Sequence, residues 1–206
     1  MSLTVIALNC TLKRGDEDSS TDKLLQEALI EFQKLGIEGD LVRIANLDIK
    51  PGVTSDEGDG DEWPQLLERI LASDILLLGT PVWLGQPSSV AKRVVERMDA
   101  FFGEMDRNNR MPSYGKVAAI AVVGNEDGAH HCHAELFQAL NDVGFTLAPG
   151  AGTYWVGEAM GSIDYKDLTV PVKKTRETTA ILAANAAHLA TLLKASTYPG
   201  VRSKPS

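Results

Sequence analysis

Two stretches of strand length, "LTVIAL" at Leu3–Leu8 and "VAAIAVV" at Val117–Val123, are apolar and β-branched with no alternation of apolar and polar residues. A strand with one wet face alternates apolar and polar residues, whereas an uninterrupted apolar strand must be covered on both faces. Helices packed on both sides of a parallel sheet meet that demand. The rest of the chain alternates accordingly. Leu24, Leu25, Ala28, Leu29, Phe32 and Leu35 recur at helical spacing, opened by the capping candidates Ser19–Thr21 and closed by Gly36. Asp40–Ile44 reads as a second strand, Trp63–Leu71 as a helix, Ile75–Leu78 as a third strand and Pro87–Phe102 as a helix with Val90, Ala91, Val94, Val95, Met98 and Phe101 inward. After the Val117–Val123 strand come a helix over Ala134–Val143, a short strand over Phe145–Ala148 and a long alanine-rich helix over Val172–Ala195. The expectation is one α/β domain over residues 1–198, with a doubly wound parallel sheet and a disordered tail at 199–206.

Composition narrows the partners. Twenty basic against 28 acidic residues give a net charge of −8, which repels nucleic-acid phosphates and anionic lipid surfaces. No apolar run approaches the ~18 residues of a membrane span, and no basic segment precedes the first apolar stretch, which argues against export. Two cysteines, Cys10 and Cys132, are too few for a disulfide framework and suit a reducing cytoplasm. The connection "NLDIKPGVTSDEGDGDEWP" exceeds the ~12 residues beyond which loops are functional or mobile. Its acidic stretch reads as a solvated loop or as a docking patch.

In doubly wound sheets, ligands bind beyond the carboxyl ends of the strands, where strand order reverses. Three loops lie there. In the first, "NCTLKRGDEDSSTDKLL", Thr11, Ser19, Ser20 and Thr21 offer hydroxyls at a helix amino terminus and Lys13 offers a charge, the makings of an anion site. Taken alone, the loop reads first as a plain capping cluster, Ser19 with Asp22 resembling a capping box, and Asp16, Glu17 and Asp18 oppose a phosphate unless they face solvent. In the second, "GTPVWLGQPSS", Pro81 and Gly85 direct a turn that presents Trp83 as a platform for a flat ligand, unless Trp83 packs into an interface or the core, with Ser88 and Ser89 as caps. In the third, "GNEDGAHHCH", the Gly124–Gly128 backbone can read the polar edge of a ring. His130 and His133 share a helix face, but two ligands do not make a structural zinc site, so no metal is expected. No P-loop, dinucleotide fingerprint, G-x-S-x-G or Ser-His-Asp order is present.

Together, "LNCTLK" with "SSTDKLL", "GTPVWLGQPSSVAKRVVERMD" and "GNEDGAHH" resemble the three flavin loops of the flavodoxin-like NAD(P)H-dependent FMN reductase family, which includes flavodoxin-like quinone reductases. The resemblance runs from Leu3 to about Trp155. It implies a flavodoxin-like five-stranded parallel sheet of order 2-1-3-4-5 with helices on both faces. It also implies that Thr11, Lys13, Ser19, Ser20 and Thr21 hold an FMN phosphate. Pro81, Val82, Trp83, Leu84 and Gly85 would then meet the flavin ring, and Gly124, Asn125, Glu126, Asp127 and Gly128 its pyrimidine side. Cys10 and Leu12 depart from the family's usual Gly and Pro, and Asn46–Glu62 lacks the cysteines of related iron-sulfur flavoproteins. Tyr154 and Trp155 either roof the site or pack at a subunit contact. The implied activity is hydride transfer from NADPH or NADH through FMN to a quinone, flavin or similar small acceptor. No catalytic side chain is obligatory, because the cofactor carries the chemistry. The implied assembly is a homodimer or homotetramer. The rival readings are a flavodoxin-type electron carrier serving protein partners, and an interaction domain that has lost its flavin.

Overall fold

The structure is a computed structural model and is described here for residues 2–202. Strand β1 (Thr4–Asn9) leads into α1 (Ser20–Lys34), β2 (Glu38–Arg43), α2 (Trp63–Ala72), β3 (Ile75–Trp83), a two-residue β4 (Gln86–Pro87) and α3 (Ser89–Arg97). Then follow β5 (Val117–Gly124), α4 (Ala129–Asp142), β6 (Thr146–Val156) and α5 (Lys173–Ala195). The sheet order is β2-β1-β3-β5-β6, all parallel, with β4 paired only to the end of β3. Without the two-residue β4, this is the order 2-1-3-4-5 expected of a flavodoxin-like sheet.

The unbroken apolar strands are explained by two cores. Ile6, Leu8, Leu76, Leu78, Ile120 and Val122 point to one face, against Trp63, Leu66, Ile70, Val94, Met98 and Leu136. Val5, Ala7, Ile75, Leu77, Ala119 and Val123 point to the other, against Leu24, Leu25, Phe32, Leu182 and Ala186. Each large side chain so buried contributes about 1.5–3 kcal/mol, so both layers are needed to hold the sheet. The Ser19 hydroxyl caps α1 by accepting from the Asp22 N–H at 3.3 Å.

Four elements differ from the sequence expectation. β3 continues to Trp83 instead of ending at Leu78, because β5 stays paired alongside it through Pro81↔Val123. β1 ends opposite Gly79, so Pro81 sits where one side of the strand is already unpaired, a place proline tolerates. α3 stops at Arg97 and tightens into a 3₁₀ turn over Met98–Gly103. α4 begins at Ala129 instead of Ala134, directly after Gly128, so the His130–His133 run is helical. β6 extends to Val156 past Pro149. Residues 148–151 bulge out between the Ala118↔Leu147 and Ile120↔Gly152 pairs, and pairing then resumes.

The long connection after β2 is pinned. Arg97 on α3 is fully buried, pairs with the equally buried Asp61 at 2.7 Å and donates to the carbonyls of Lys50 and Thr54 at 2.9–3.1 Å. Of the tail expected to be disordered, residues 203–206 lie outside the described residues. In the described part, the Val201 N–H donates to the Asn108 carbonyl at 2.8 Å. Among the described residues, no helix is long and apolar enough to cross a membrane.

Candidate functional site

The carboxyl ends of β1, β3 and β5 meet at one rim of the sheet, where three loops enclose a cavity of about 420 Å3. That lies within the ~300–1,000 Å3 of small-molecule sites. At one end stand Thr11, Leu12, Lys13, Ser19, Ser20 and Thr21, which belong to the β1 loop and the first turn of α1. Here the amino-terminal N–H groups of a helix supply positive partial charge beside several hydroxyls. The loop is held from behind. Asn9 Nδ2 donates to Asp22, Asn9 Oδ1 accepts the Thr11 N–H at 3.1 Å, and Arg43 reaches Asp22 at 3.3 Å and the carbonyls of Gly15 and Glu17 at 2.8 Å. Asp16, Glu17 and Asp18 are exposed and are not among the residues lining this cavity. The Lys13 ammonium donates to the Asp18 carbonyl at 2.7 Å.

The second wall is the end of β3. Leu84 and Gly85 both have positive φ, 53° and 74°, as in the primed two-residue turns whose twist matches paired strands. The turn thrusts Trp83 (54% exposed) and Leu84 (91% exposed) outward beside Pro81 and Val82. Behind it, the buried Ser88 accepts from the Ala91 N–H as the cap of α3 and donates to the Cys10 carbonyl at 2.6 Å. This hydroxyl thus ties the β1 loop to the β3 loop. Burial pushes the Cys10 thiol far above its ordinary range, so it is no ready nucleophile.

The third wall combines Val123, Gly124, Asn125 and Glu126 with Met160, Gly161 and Asp164. Glu126 accepts the Leu84 N–H at 2.8 Å. Asn125 donates to the Gly161 carbonyl at 2.9 Å and to Asp164 at 3.2 Å, and its own carbonyl accepts the Met160 N–H at 3.0 Å. The segment carrying Met160 and Asp164 crosses from β6 to the start of α1, where the Lys166 N–H donates to Ser20 and Lys23 donates to the carbonyls of Tyr165 and Leu168.

Of the residues picked out in sequence, twelve line this cavity: Thr11, Lys13, Ser19, Ser20, Thr21, Pro81, Val82, Trp83, Leu84, Gly124, Asn125 and Glu126. Gly85, Asp127 and Gly128 do not. Gly85 lies against Gly128, where an added Cβ would sit 2.6 Å from Gly85 Cα, and Asp127 caps the Gly128 N–H. Sequence reasoning missed Leu12, Val123, Met160, Gly161 and Asp164 as lining residues. Glycines 157 and 161 after Trp155 were the available signal of a turn back over the site. Tyr154 and Trp155 do not roof the cavity. Trp155 packs on Tyr165 at 5.3 Å, and Tyr154 receives the rings of His130 and His133 at 5.2 and 5.7 Å. Burial pushes the His133 imidazole down to about 4, which leaves it neutral near pH 7.

A doubly wound parallel sheet with an open cavity at its strand-order reversal, hydroxyls at one end and an aromatic rim at the other, defines a flavodoxin-like protein. A family model described as NADPH-dependent FMN reductase matches residues 3–161, and the chain belongs to that family of FMN-dependent oxidoreductases. It is 33% identical over 208 residues to the 8-demethyl-8-aminoriboflavin-5'-phosphate synthase of Streptomyces davaonensis, covering 96% of this chain and 81% of that protein. The crystal structure of RosB with the bound intermediate 8-demethyl-8-formylriboflavin-5'-phosphate superposes with a TM-score of 0.86 at 32% identity, covering 96% of this chain and 82% of the other. A Mycobacterium bovis protein described as the divalent metal cation transporter MntH is 34% identical over 200 residues. That match takes in 94% of this chain, which spans only 29% of the relative. An apo NADH:FMN oxidoreductase shares the fold at 16% identity, with a TM-score of 0.65 and coverage of 100% of this chain and 97% of the other.

Proposed function

We propose that this chain binds FMN in the rim cavity and passes a hydride from NADPH or NADH to a quinone, flavin or similar small acceptor. The observation that carries the reading is the polarity of the cavity: helix-terminal hydroxyls and Lys13 at one end, Pro81–Leu84 and the Gly124–Glu126 loop at the other. The residues fit a planar phosphorylated ligand. Thr11, Ser19, Ser20 and Thr21 would hold the phosphate at the start of α1, and the acidic residues 16–18 lie outside the lining. Bound FMN supplies a ring that accepts and donates hydride. The chain's own share would be to seat that ring against Pro81–Leu84 and the Gly124–Glu126 loop and to hold the phosphate at the start of α1. Cysteine thiols are not required for any of this.

The test is anaerobic addition of NADPH or NADH to FMN-loaded protein, followed by absorbance near the flavin bands. Rapid bleaching, with colour restored by a quinone, supports the reductase. Stable colour under both nucleotides would point to a carrier for protein partners, and failure to take up FMN would end the reading. The same preparation, sized by light scattering, tests the expected homodimer or homotetramer.

A second reading makes the flavin phosphate the substrate. It is favoured by the relatives at 32–33% identity, whose names specify modified riboflavin 5'-phosphates. Mass spectrometry of FMN recovered after aerobic incubation separates the two readings: an unchanged mass supports the reductase, and a changed ring substituent supports flavin modification.

A further inference from the structure

We propose that Glu126 is a positioning residue: its carboxylate is a latch that holds the β3–β4 turn in a conformation the turn's own sequence disfavours, and so fixes one wall of the ligand cavity. The argument begins with Leu84. Its φ of 53° lies in the left-handed region, which a side chain bearing a Cβ resists and glycine does not. Its side chain is 91% exposed, so burial against the rest of the chain does not repay the strain. The antiparallel pairs Val82↔Pro87 and Trp83↔Gln86 close the turn, and the side chains of His131 and Gln86 meet beside it at 3.1 Å, but two features act on Leu84 and Gly85 themselves. Glu126 Oε1 accepts the Leu84 N–H at 2.8 Å. Next door, Gly85 rests on Gly128, which has no room for a side chain because an added Cβ at 128 would sit 2.6 Å from Gly85 Cα.

The adjacent residue does the corresponding work on the third wall. Asn125 reaches Gly161 and Asp164, and its carbonyl takes the Met160 N–H. One loop after β5 therefore grips both the Trp83–Leu84 turn and the segment carrying Met160, and both line the cavity. Two neighbouring side chains, both engaged with protein, thus anchor two separate parts of the cavity lining. The part of the inference concerning ligand affinity rests on the FMN reading above, while the latch itself does not.

The experiment uses the full chain in three variants, Glu126→Ala, Glu126→Gln and Leu84→Gly, with the double variant Glu126→Ala/Leu84→Gly. In FMN-free protein, amide hydrogen exchange at residue 84, followed by NMR, is expected to quicken roughly tenfold in Glu126→Ala. It should stay near the parent rate in Glu126→Gln, whose amide oxygen still accepts. FMN titrations read by quenching of flavin fluorescence should show Glu126→Ala binding about tenfold more weakly and Glu126→Gln within about twofold. In the Leu84→Gly background, where the turn needs no restraint, the same removal of Glu126 should cost less than about threefold. Unchanged exchange in Glu126→Ala would overturn the latch. So would a Glu126→Gln variant as impaired as the alanine, because the charge would then be acting on the ligand itself. If the parent fails to bind FMN while exchange at residue 84 still responds, the cofactor reading falls and the latch stands.

Discussion

Replacing Arg97 by methionine tests whether the connection between β2 and α2 is a built part of the fold. Methionine preserves much of the side-chain volume beside Trp63, whose ring lies 5.5 Å from the guanidinium carbon, but it removes every hydrogen bond. Asp61 would remain fully buried without its ion-pair partner, and the carbonyls of Lys50 and Thr54 would each lose their guanidinium donor. Breaking one side of a buried pair costs about 3–5 kcal/mol. Asp61 keeps the N–H groups of Lys50, Glu57 and Trp63 at 3.0–3.2 Å, which places the expectation toward the lower end of that range. With a urea slope of about 2 kcal/mol/M, the unfolding midpoint should fall by roughly 1.5–2 M. The measurement belongs on FMN-free protein, since a ligand that binds only the folded state would mask part of the loss. Arg97→Lys should fall in between, because an ammonium keeps the charge but not the planar fork. A midpoint within about 0.5 M of the parent for Arg97→Met would refute the reasoning, since the pair would then contribute nothing beyond packing.

Asp61 also gives a pH expectation. Burial pushes its carboxyl up, but the hydrogen bonds from Arg97 and from the N–H groups of Glu57, Lys50 and Trp63 outweigh burial and hold it well below the usual carboxylate range. Its stabilisation is therefore fully present above the unfolded value of about 4 and drains as pH falls through the lower folded value. Asp61→Asn should flatten that acid limb in a urea-midpoint-against-pH series, and an unchanged limb would contradict the assignment. Gly128→Ala forces a side chain onto Gly85 at a φ of 135°, so thermal unfolding should show a loss of about 2 kcal/mol or more, or NMR a displaced turn. Ser88→Ala removes both the α3 cap and the bond to the Cys10 carbonyl and should cost about 1–2 kcal/mol by urea unfolding.

The sheet was legible because burial on both faces leaves runs of apolar residues without alternation in β1 and β5, and the caps Ser19 and Ser88 announced their helices by type and position. Most of the cavity lining followed from the same logic, as loops beyond those strands. What escaped had opposing local signals. Pro81 looks like the end of a strand, yet it sits beyond the point where β1 pairs, so the ladder loses nothing. Pro149 looks like a stop and is absorbed by a bulge. Arg97 was invisible as a core residue because charge reads as surface, and its acidic partner lay in a stretch whose composition suggested a solvated loop. The segment around Met160 and Asp164 has no hydrophobic period at all. It is held by backbone and amide hydrogen bonds, for which sequence carries no regular pattern.

The bulge at residues 148–151 has a consequence for how these molecules behave when crowded. β6 is an outer strand of the sheet, and a long straight outer strand offers a row of unpaired donors and acceptors on which a foreign strand can grow. Four looped-out residues, with Pro149 and Gly150 exposed among them, interrupt that row midway. Only short fragments of template remain on either side, so the domain carries its own guard against fibre formation.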